Sequence, residues 1–496
     1  MADARYVLAI DAGTTGVTVL LFDRQATVVR REYSEFTQHY PKPGWVGHDA
    51  EEIWQVTRRL IKQILADEGP GSVAAIGITN QRETTVLWDA ETREPYDKAI
   101  VWQCRRTAAR CAELRGHSER VAQKTGLVID AYFSATKAEW LLEHAKGARQ
   151  GAEQGRARFG TIDTWLVERL TGGKAHVTDF TNASRTMLFD IHTREWDPEL
   201  LDLFSVPKSA LPEVKPSAGV FALTDPAVFG AEVPIAGIAG DQQAAMFGQG
   251  CVRPGEAKNT YGTGCFALVN AGHEPVRSQN GLVTTLACDA EGRPVYCLEG
   301  SVFIAGAVVQ WLRDELRLIG SAAETESIAR AVEDTGGVYL VPAFVGLGAP
   351  YWDQDARGSI TGLTRGSNRS HIVRAALESI AYQSRDLIDA LRADLGERAQ
   401  LTELKVDGGA CQNDFLMQFQ ADVLGVPVVR PRNIDTTAQG AAFLAGLGAG
   451  FWSSFGEVEA VLALDRTFTP AMAPERRAAL YDGWKQAVSR TRSEGS

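Results

Sequence analysis

Two aspartates follow apolar segments in a way that could place a carboxylate in a cleft. Asp11 comes after the apolar run 6–10, Asp241 comes after the apolar run 234–239, and each has glycine close by. A carboxylate in such a place can accept a proton, or it can hold Mg²⁺ directly or through water. The commoner role of an aspartate in this context is that of a turn or cap residue, and both interpretations stay open at this point.

The segment around the first of these aspartates predicts a β-hairpin. Residues 6–10 and 17–22 have the composition of strands, and Thr14, Thr15 and Gly16 lie in the turn between them. Backbone N–H groups that are exposed in such a turn can bind phosphate oxygens. An ordinary solvated hairpin is an equally good interpretation of this stretch alone, because short motifs match by chance.

Two later segments contain turns of a similar kind. Residues 257–261 and 265–269 read as strands on either side of a Gly-Thr-Gly turn at 262–264. An Asp-Gly-Gly sequence at 407–409 leads into a helix predicted at 413–424. Small residues let a flat base and ribose lie against the backbone, and a helix N-terminus favours phosphate. The Asp-Gly-Gly turn therefore indicates a nucleotide site, with a plain strand-to-helix connection as the alternative.

Arg82 and Glu83 stand side by side shortly after a strand predicted at 73–78. Open α/β sheets bind ligands at such strand ends, and this pair offers a donor and an acceptor for hydroxyl groups. The alternative is a solvated ion pair. Trp102 and Phe266 adjoin polar residues and could form an apolar wall against the carbon atoms of a small substrate, although core packing is the default for any single aromatic residue.

These residues require an α/β scaffold to position them. Strand-like and helix-like segments alternate along the chain, which is typical of an α/β protein. The pattern begins again near residue 250, so the sequence predicts two domains, 1–250 and 251–496, with a ligand cleft between them. The expected helices include one that starts at Asp49 with a capping box to Glu52, and one that spans 301–316.

Composition excludes several classes of protein. The 496 residues are 45% hydrophobic and 23% charged, as in an ordinary soluble globular protein, and the net charge of -11 opposes binding to nucleic acid and anionic membranes. The N-terminus lacks the long apolar core of a signal peptide, and no stretch approaches the length of a membrane span. The seven cysteines form no CxxC pair, which predicts reduced thiols in a cytoplasmic protein.

Familiar catalytic motifs are missing, but another set of motifs is present. The sequence has no Walker A pattern, no HRD or DFG pair, no GxSxG and no HExxH. Stretches along nearly the whole chain resemble the FGGY carbohydrate kinases, and the NQRETT, VWQCRRT and NTYGTGCF blocks are similar to the glycerol-phosphorylating members rather than to the xylulose, ribulose or gluconate kinases. The matching stretches are DAGTT (11–15), ITNQRETT (78–85), IVWQCRRT (100–107), DTWL (163–166), TNASRTMLFDI (181–191), GIAGDQQAAMFGQ (237–249), KNTYGTGCF (258–266), GLGAPYWDQDARG (346–358) and VDGGACQNDFLMQFQ (406–420).

The resemblance implies two actin-like ATPase domains of the ribonuclease-H-like type, with ATP and glycerol in the cleft between them. It further implies transfer of the γ-phosphoryl group to the 3-hydroxyl of glycerol, with Mg²⁺ as cofactor, to give sn-glycerol 3-phosphate and ADP. The N-terminal domain would carry the glycerol site and the phosphate hairpin, and the C-terminal domain would carry the nucleotide. The resemblance also implies a homodimer or a homotetramer, and no residue pattern in this sequence chooses between them.

The resemblance also implies roles for individual residues of this sequence. Asp241 would be the general base, and Asp11 would hold Mg²⁺. The residues implied to bind the hydroxyl groups of glycerol are Arg82, Glu83, Tyr132, Asp241 and Gln242, with Trp102 and Phe266 against its carbon atoms. The residues implied to bind the nucleotide are Thr14, Thr15, Gly16, Thr263, Gly306, Gln310, Gly409 and Asn413.

Two segments depart from the family pattern. Gly16 and Thr18 stand where members with the sequence DQGTTSSR have serine and arginine, and the lost arginine predicts a weaker ATP complex or a substitute cation. Residues 223–234 lack the glycine-rich basic loop that binds fructose 1,6-bisphosphate in regulated bacterial relatives, and they also lack the histidine that is phosphorylated in some Gram-positive relatives. The sequence therefore predicts an enzyme that is insensitive to both regulators.

Two rival functions are consistent with the same motifs. One is phosphorylation of another polyol or sugar by an enzyme of this fold. The other is nucleotide-dependent binding or regulation, without turnover, on an actin-like scaffold. Asp11, Arg82, Glu83 and Asp241 argue against the second rival, because a pure binding protein has no evident need for a general base.

Overall fold

The computed structural model of the chain describes residues 4–398 and 400–493. Residues 1–3, at the start of the first predicted domain, and residues 494–496, at the end of the second, lie outside the described residues. Within the described part, helices alternate with strands, and two large sheets dominate the architecture.

The strands and helices are numbered in chain order. The strands are β1 Tyr6–Ala12, β2 Gly16–Phe22, β3 Val28–Glu35, β4 Gln38–His39, β5 Gly47–His48, β6 Val73–Asn80, β7 Val86–Asp89, β8 Ala99–Ile100, β9 Ala157–Gly160, β10 Val177–Asp179, β11 Phe189–Asp190, β12 Glu195–Trp196, β13 Glu213–Lys215, β14 Ala218–Leu223, β15 Pro234–Gly240, β16 Ala257–Tyr261, β17 Cys265–Gly272, β18 Val283–Cys288, β19 Pro294–Val302, β20 Tyr339–Val341, β21 Ser359–Thr361, β22 Leu404–Asp407, β23 Val428–Pro431 and β24 Leu464–Phe468.

The α-helices are α1 Ala50–Ile64, α2 Ala108–Glu113, α3 Ser118–Thr125, α4 Ala135–His144, α5 Ala148–Glu153, α6 Ile162–Leu170, α7 Phe180–Ala183, α8 Pro198–Leu203, α9 Pro226–Phe229, α10 Asp241–Gly248, α11 Gly306–Asp314, α12 Glu324–Arg330, α13 Arg369–Leu395, α14 Asp414–Leu424, α15 Thr436–Gly448, α16 Phe455–Val461 and α17 Pro474–Thr491. Short 3-10 helices cover Pro70–Ser72, Leu114–His117, Lys208–Ala210, Gly396–Arg398 and Gly409–Gln412.

The first sheet has the strand order β14-β15-β6-β1-β2-β3. β1, β2 and β3 form an antiparallel meander, as the hairpin prediction required, while β6 and β15 run parallel to β1. Parallel neighbours end at the same edge of a sheet, so the segments that follow β1, β6 and β15 meet there. This edge is where the sequence predicts a ligand site.

The second sheet has the strand order β18-β19-β17-β16-β22-β23-β24. Its central strands repeat the plan of the first sheet, because β16, β17 and β19 are antiparallel neighbours and β22 and β23 run parallel to β16. The Gly-Thr-Gly turn at 262–264 joins β16 to β17, in the same place as the turn that joins β1 to β2. The two halves therefore share the arrangement of these central strands, and the second half adds β18 at the edge of its sheet beside β19.

Helix α15 belongs to the second half of the chain but packs on the first sheet. It lies against α10 and against β1, β6 and β15. At Gly77 of β6 and Gly237 of β15, an added Cβ atom would overlap the α15 backbone at Ala441 and Ala445. Only glycine permits so close an approach between a helix and a sheet. The two halves thus share a buried core, and their packing does not divide cleanly at residue 250.

Two local predictions are wrong in part. The helix expected at 301–316 is α11, which begins at Gly306, because residues up to Val302 continue β19 and pair with β17. Asp49 caps α1 as expected, but Glu52 does not complete a capping box. The Glu52 carboxylate instead accepts hydrogen bonds from the backbone N–H and the hydroxyl of Thr37, at 3.0 and 2.9 Å. In the first case strand pairing with β17, and in the second a contact with Thr37, overrides the structure that the local sequence predicts.

All seven cysteines are buried, and none of them forms a disulfide. The helices within residues 4–398 and 400–493 include none with both the length and the apolar character that crossing a membrane requires.

Candidate active site

The chemical groups predicted from sequence meet at the carboxyl edge of the first sheet. Asp11 lies near the end of β1, Arg82 and Glu83 follow β6, and Asp241 is the first residue of α10, directly after β15. The three strands are adjacent and parallel. The structure therefore brings together residues from three segments that lie far apart in the sequence.

Arg82 contacts Asp241 at this edge. Its Nε atom lies 3.2 Å from Oδ1 of Asp241, and the arginine side chain is 2% exposed whereas that of the aspartate is 30% exposed. Burial raises the pKa of Asp241, the guanidinium of Arg82 opposes this rise, and the charge of Glu83 adds to it. An accessible carboxylate with a raised pKa is suited to accept a proton.

Four buried charges, which we call the charge network, surround Arg82: Arg82 itself, Glu83, Arg185 and Glu299. Glu299 of β19 accepts hydrogen bonds from both terminal nitrogens of Arg82, at 2.6 and 2.8 Å, and from Arg185 at 3.1 Å. Nε of Arg185 donates to Glu83 at 2.8 Å. Burial alone would raise the pKa of Glu299, but the charges of Arg185 and Arg82 hold it at about 2. The network has two charges of each sign and joins the first sheet to the second.

A network of hydroxyl and amide groups holds the ends of β6 and β15. Asn80 donates to the side chain of Asn182 at 3.1 Å, and the N–H of Gly240 donates to Oγ1 of Thr181 at 2.8 Å. Asp179 in turn accepts the N–H groups of Thr181 and Asn182, both at 3.0 Å. The two segments that carry the catalytic candidates are thereby fixed relative to each other.

Trp102 and Tyr132 form an aromatic wall beside Arg82. Their ring centroids lie 5.5 Å apart at an interplanar angle of 78°, and the Tyr132 hydroxyl is 3.5 Å from Nη2 of Arg82. Nε1 of Trp102 donates to Oγ1 of Thr14 at 2.9 Å, which ties the wall to the β1–β2 hairpin. Phe266, the third aromatic candidate, is partly buried in β17 of the second sheet.

Gln242 is held by a buried lysine. Nζ of Lys258, on β16, donates to Oε1 of Gln242 and, at 2.8 Å, to Oγ1 of Thr260. Burial lowers the pKa of Lys258, while nearby carboxylates oppose that fall. The buried lysine therefore holds the Gln242 side chain in place.

A cavity of about 490 Å³ lies on the side of the second sheet. A Cβ atom at position 306 would lie 2.6 Å from the carbonyl oxygen of Gly262, so the turn and α11 can approach only with glycine there. Asn413 caps α14 by accepting the N–H of Leu416 at 3.0 Å, and its amide nitrogen donates to Thr325 at 3.1 Å. The candidate nucleotide residues that line the cavity are Thr263, Gly306, Gln310, Gly409 and Asn413. The remaining candidates, Thr14, Thr15 and Gly16, lie in and beside the turn of the β1–β2 hairpin.

Asp11 is the residue best suited to hold a cation. Burial and the charges of Asp241 and Asp435 raise its pKa to about 7, and the charge of Arg31 opposes this rise. Among the described residues, no group of three or more His, Cys, Asp and Glu side chains could hold a metal ion by itself. Mg²⁺ that arrives on nucleotide phosphates needs only one or two protein carboxylates, and a divalent cation would relieve the repulsion around Asp11. These residues therefore fit Mg²⁺.

Comparison with known proteins identifies the family. The N-terminal domain of the FGGY family of carbohydrate kinases matches residues 6–248, and the C-terminal domain of the same family matches residues 257–449. The chain belongs to the FGGY family of carbohydrate kinases. The resemblance seen in the sequence and the two-domain α/β fold that it implied are thereby confirmed.

Proteins named glycerol kinase are similar to this FGGY kinase over nearly its whole length. Those of Symbiobacterium thermophilum and Carboxydothermus hydrogenoformans are both 60% identical to it, over 491 and 493 residues, and each alignment covers 98% of both chains. The crystal structure of Plasmodium falciparum glycerol kinase with ADP has a TM-score of 0.92 at 38% identity and covers 98% of both chains. A ligand-bound xylulose kinase from Lactobacillus acidophilus, at 22% identity, covers 99% of this chain and 100% of its own, and its TM-score of 0.86 shows the same fold.

Sequence reasoning missed three residues that shape the site, namely Arg185, Lys258 and Glu299. The first two lie inside stretches that resemble the family, but their residue types alone gave no reason to assign them a role. Glu299 stands inside the apolar strand segment VYCLEGSV. A lone carboxylate in such a segment is a usable signal, because a buried charge requires a partner.

Proposed function

We propose that this FGGY kinase transfers the γ-phosphoryl group of ATP to the 3-hydroxyl of glycerol, giving sn-glycerol 3-phosphate and ADP, in cytoplasmic glycerol catabolism. The observation that carries the proposal is the 3.2 Å contact between Arg82 Nε and Asp241 Oδ1 at the open edge of the sheet. It occurs in a chain that is 60% identical to proteins named glycerol kinase. The geometry supports each half of the reaction in turn.

The substrate side offers groups for several adjacent hydroxyls. Arg82 Nε is buried and makes no hydrogen bond of good geometry within the described residues, although it faces Asp241. A buried donor without a partner is costly, so a hydroxyl oxygen that accepts from Arg82 is favoured at this point. Glu83 and Gln242 provide further polar groups for glycerol. The Tyr132 hydroxyl adds another polar group, and the rings of Trp102 and Phe266 lie against the carbon atoms of glycerol.

Asp241 acts as the general base. The proton of the 3-hydroxyl passes to its carboxylate as the oxygen forms a bond to the γ-phosphorus. The bond from that phosphorus to the bridging oxygen breaks, and ADP leaves with the electron pair. The raised pKa of Asp241 favours this transfer, since it strengthens the carboxylate as a base while the Arg82 contact keeps it ionised.

The nucleotide side combines the cavity with the two turns. The base and ribose occupy the 490 Å³ cavity, and the phosphates lie between the β1–β2 turn and Thr263 of the second sheet. Asp11 holds the metal. Mg²⁺, when bound there, offsets negative charge on the phosphates. Backbone N–H groups at Thr14, Thr15 and Gly16 orient the phosphate oxygens.

We further propose that residues 1–250 carry the glycerol site and the phosphate hairpin, and that residues 251–496 carry the nucleotide. Glu299 belongs to the second of these segments and accepts a hydrogen bond from Arg82 in the first, so the two segments are in direct contact beside the proposed glycerol site. The assembly is proposed as a homodimer or a homotetramer on the family relationship alone. Sedimentation of the full chain distinguishes the two.

A substrate panel tests the proposed reaction. ADP release is measured with glycerol, dihydroxyacetone, erythritol and xylulose, each with MgATP, and the glycerol product is offered to a dehydrogenase specific for sn-glycerol 3-phosphate. We expect the highest kcat/KM with glycerol and full oxidation of its product. A higher value for xylulose or erythritol would assign the enzyme to another substrate. If no ADP is released with any of these substrates, the result would favour the rival function, a nucleotide-binding protein without turnover.

A further inference from the structure

Two glutamine side chains hold the backbone of the β1–β2 turn. Nε2 of Gln81 donates to the carbonyl oxygen of Gly13 at 3.1 Å, and Nε2 of Gln38 donates to that of Thr14 at 3.0 Å. Gln81 directly follows β6, and Gln38 belongs to β4. Each amide therefore ties a different segment of the chain to one peptide group of the turn.

The held carbonyls fix the direction of the N–H groups in the turn. Because a peptide group is planar and trans, the N–H of the following residue points away from the carbonyl. The Gly13 carbonyl accepts from Gln81, so the N–H of Thr14 points away from that glutamine. The N–H of Thr15 points away from Gln38 for the same reason. Within the described part of the chain, neither N–H group donates to a backbone carbonyl, so both are available to an anion.

A histidine lies between the two glutamine amides. Nε2 of His48 is 2.8 Å from Oε1 of Gln38, and Nδ1 is 3.3 Å from Nε2 of Gln81. The amide nitrogen of Gln38 must face the carbonyls of Thr14 and Phe36, because an amide oxygen would be repelled there. Oε1 of Gln38 can then only accept, so Nε2 of His48 carries the proton. Nδ1 of His48 is left to accept from Gln81.

The surroundings of the histidine keep it in this form. His48 is fully buried, and its ring centroid lies 4.9 Å from that of Phe36. Burial lowers the pKa of His48 to about 4, and the charge of His39 adds to this fall, so the ring is neutral near neutral pH. Oε1 of Gln81 accepts the hydroxyl of Thr84 at 2.7 Å. Both glutamine amides are therefore held at each of their ends.

We propose that Gln38, Gln81 and His48 are positioning residues for phosphate binding, which hold the β1–β2 turn so that the N–H groups of Thr14 and Thr15 face the phosphates of the nucleotide. The proposal rests on the proposed function, because it presumes that the phosphates lie at this turn. His48 acts only through the two glutamines. Donors that are already oriented need no reorganisation when a phosphate binds, so the three residues strengthen phosphate binding without adding charge.

Calorimetric titration of the full chain tests the proposal with two probes, adenosine and the Mg²⁺ complex of adenylyl imidodiphosphate, the non-hydrolysable imido analogue of ATP. The variants Q38M and Q81M remove one amide donor each and keep the length of the side chain. We expect each variant to bind the imido analogue about tenfold more weakly than wild type. Adenosine affinity should stay within twofold of wild type, since adenosine has no phosphate.

The matched control is Q418M. Gln418 of α14 donates to the carbonyl oxygen of Thr469 at 2.9 Å, which is a hydrogen bond of the same kind, and it does not line the 490 Å³ cavity. Both affinities of Q418M should equal those of wild type. Gln38 is half-buried on a two-residue strand, so Q38M decides the case even if the variant of the buried Gln81 does not fold.

A mutant cycle separates positioning from a general structural role. H48M alone should weaken binding of the imido analogue, but H48M added to the Q38M/Q81M double variant should weaken it by less than twofold further, because the histidine acts through the glutamines. The proposal would be overturned by imido-analogue affinities within twofold of wild type in Q38M and Q81M, by an equal weakening of adenosine, or by a fully additive effect of H48M. Failure of the proposed function is seen separately, as the absence of glycerol-dependent ADP release in the wild-type enzyme.

Discussion

Replacing Glu299 by glutamine tests whether the charge network supports the active site. The variant keeps the shape of the side chain but removes the charge that pairs with Arg82 and Arg185, which are 2% and 0% exposed. In the wild-type protein, Nη1 of Arg82 lies 2.6 Å from a carboxylate oxygen of Glu299. In the variant, the amide NH₂ group would take the place of one carboxylate oxygen, so that a donor would face an arginine donor. Breaking a buried ion pair by removing one partner costs about 3–5 kcal/mol.

We expect E299Q to lower the free energy of unfolding by about 3 kcal/mol, at the low end of that range, because the amide oxygen of glutamine can still accept a hydrogen bond. For domains of this size, a loss of 1 kcal/mol lowers Tm by about 2–4 °C, so the expected shift is about 6–12 °C. The control is E291Q, in which an exposed carboxylate paired with Arg293 is lost, and its Tm should hardly change. A shift in E299Q no larger than that of E291Q would refute the reasoning.

The stabilisation by Glu299 has a defined pH dependence. Its pKa is held at about 2 in the folded protein, below the ordinary value of 4.5. Its contribution is therefore complete above the ordinary value and is lost as the pH falls through the folded value. The difference in Tm between wild type and E299Q should be constant near neutral pH and should shrink in acid. A difference that grows in acid would contradict this assignment of charges.

Three further predictions follow from the site. Since Asp11, the proposed Mg²⁺ ligand, must lose its proton to act as one and its pKa is about 7, MgADP affinity should fall about tenfold between about pH 8 and about pH 6, and D11N should abolish this dependence. Adding a charge at the hairpin in Thr18→Arg should lower the KM for ATP, and an unchanged KM would count against a deficit of positive charge there. Fructose 1,6-bisphosphate should not inhibit the enzyme in a steady-state assay, because α9 is capped by Asp225 and the segment around it has no basic loop.

Sequence alone predicted the elements whose signals are local. The β1–β2 hairpin and the start of helix α1 after Asp49 were expected close to where the structure has them, because strand composition, turn residues, the capping residue and helical periodicity all lie within those segments. The start of α11 was misjudged. Residues 301 and 302 are drawn into β19 by pairing with β17, and a partner strand more than thirty residues away leaves no trace in local periodicity.

The residues of the candidate site likewise include some that the local sequence predicts and others that only long-range contacts bring to the site. Asp11, Arg82 and Asp241 were singled out because each follows an apolar strand, and the structure brings all three to one edge. Glu299 could not be connected with Arg82 from the sequence, since the two residues are 217 positions apart and meet only when the two sheets pack together. The packing of α15 on the first sheet depends likewise on long-range contact.

The Asp241→Asn variant tests the central claim most directly. Substitution leaves the size of the side chain and its place beside Arg82 nearly unchanged but removes the proposed base, and general-base catalysis contributes about 10²–10⁴-fold to rate. We predict a fall in kcat of that size with glycerol binding, measured by calorimetry, largely retained. The control D67N alters an exposed carboxylate beside α1 and should keep full activity. A D241N enzyme that retained most of its kcat would contradict the account.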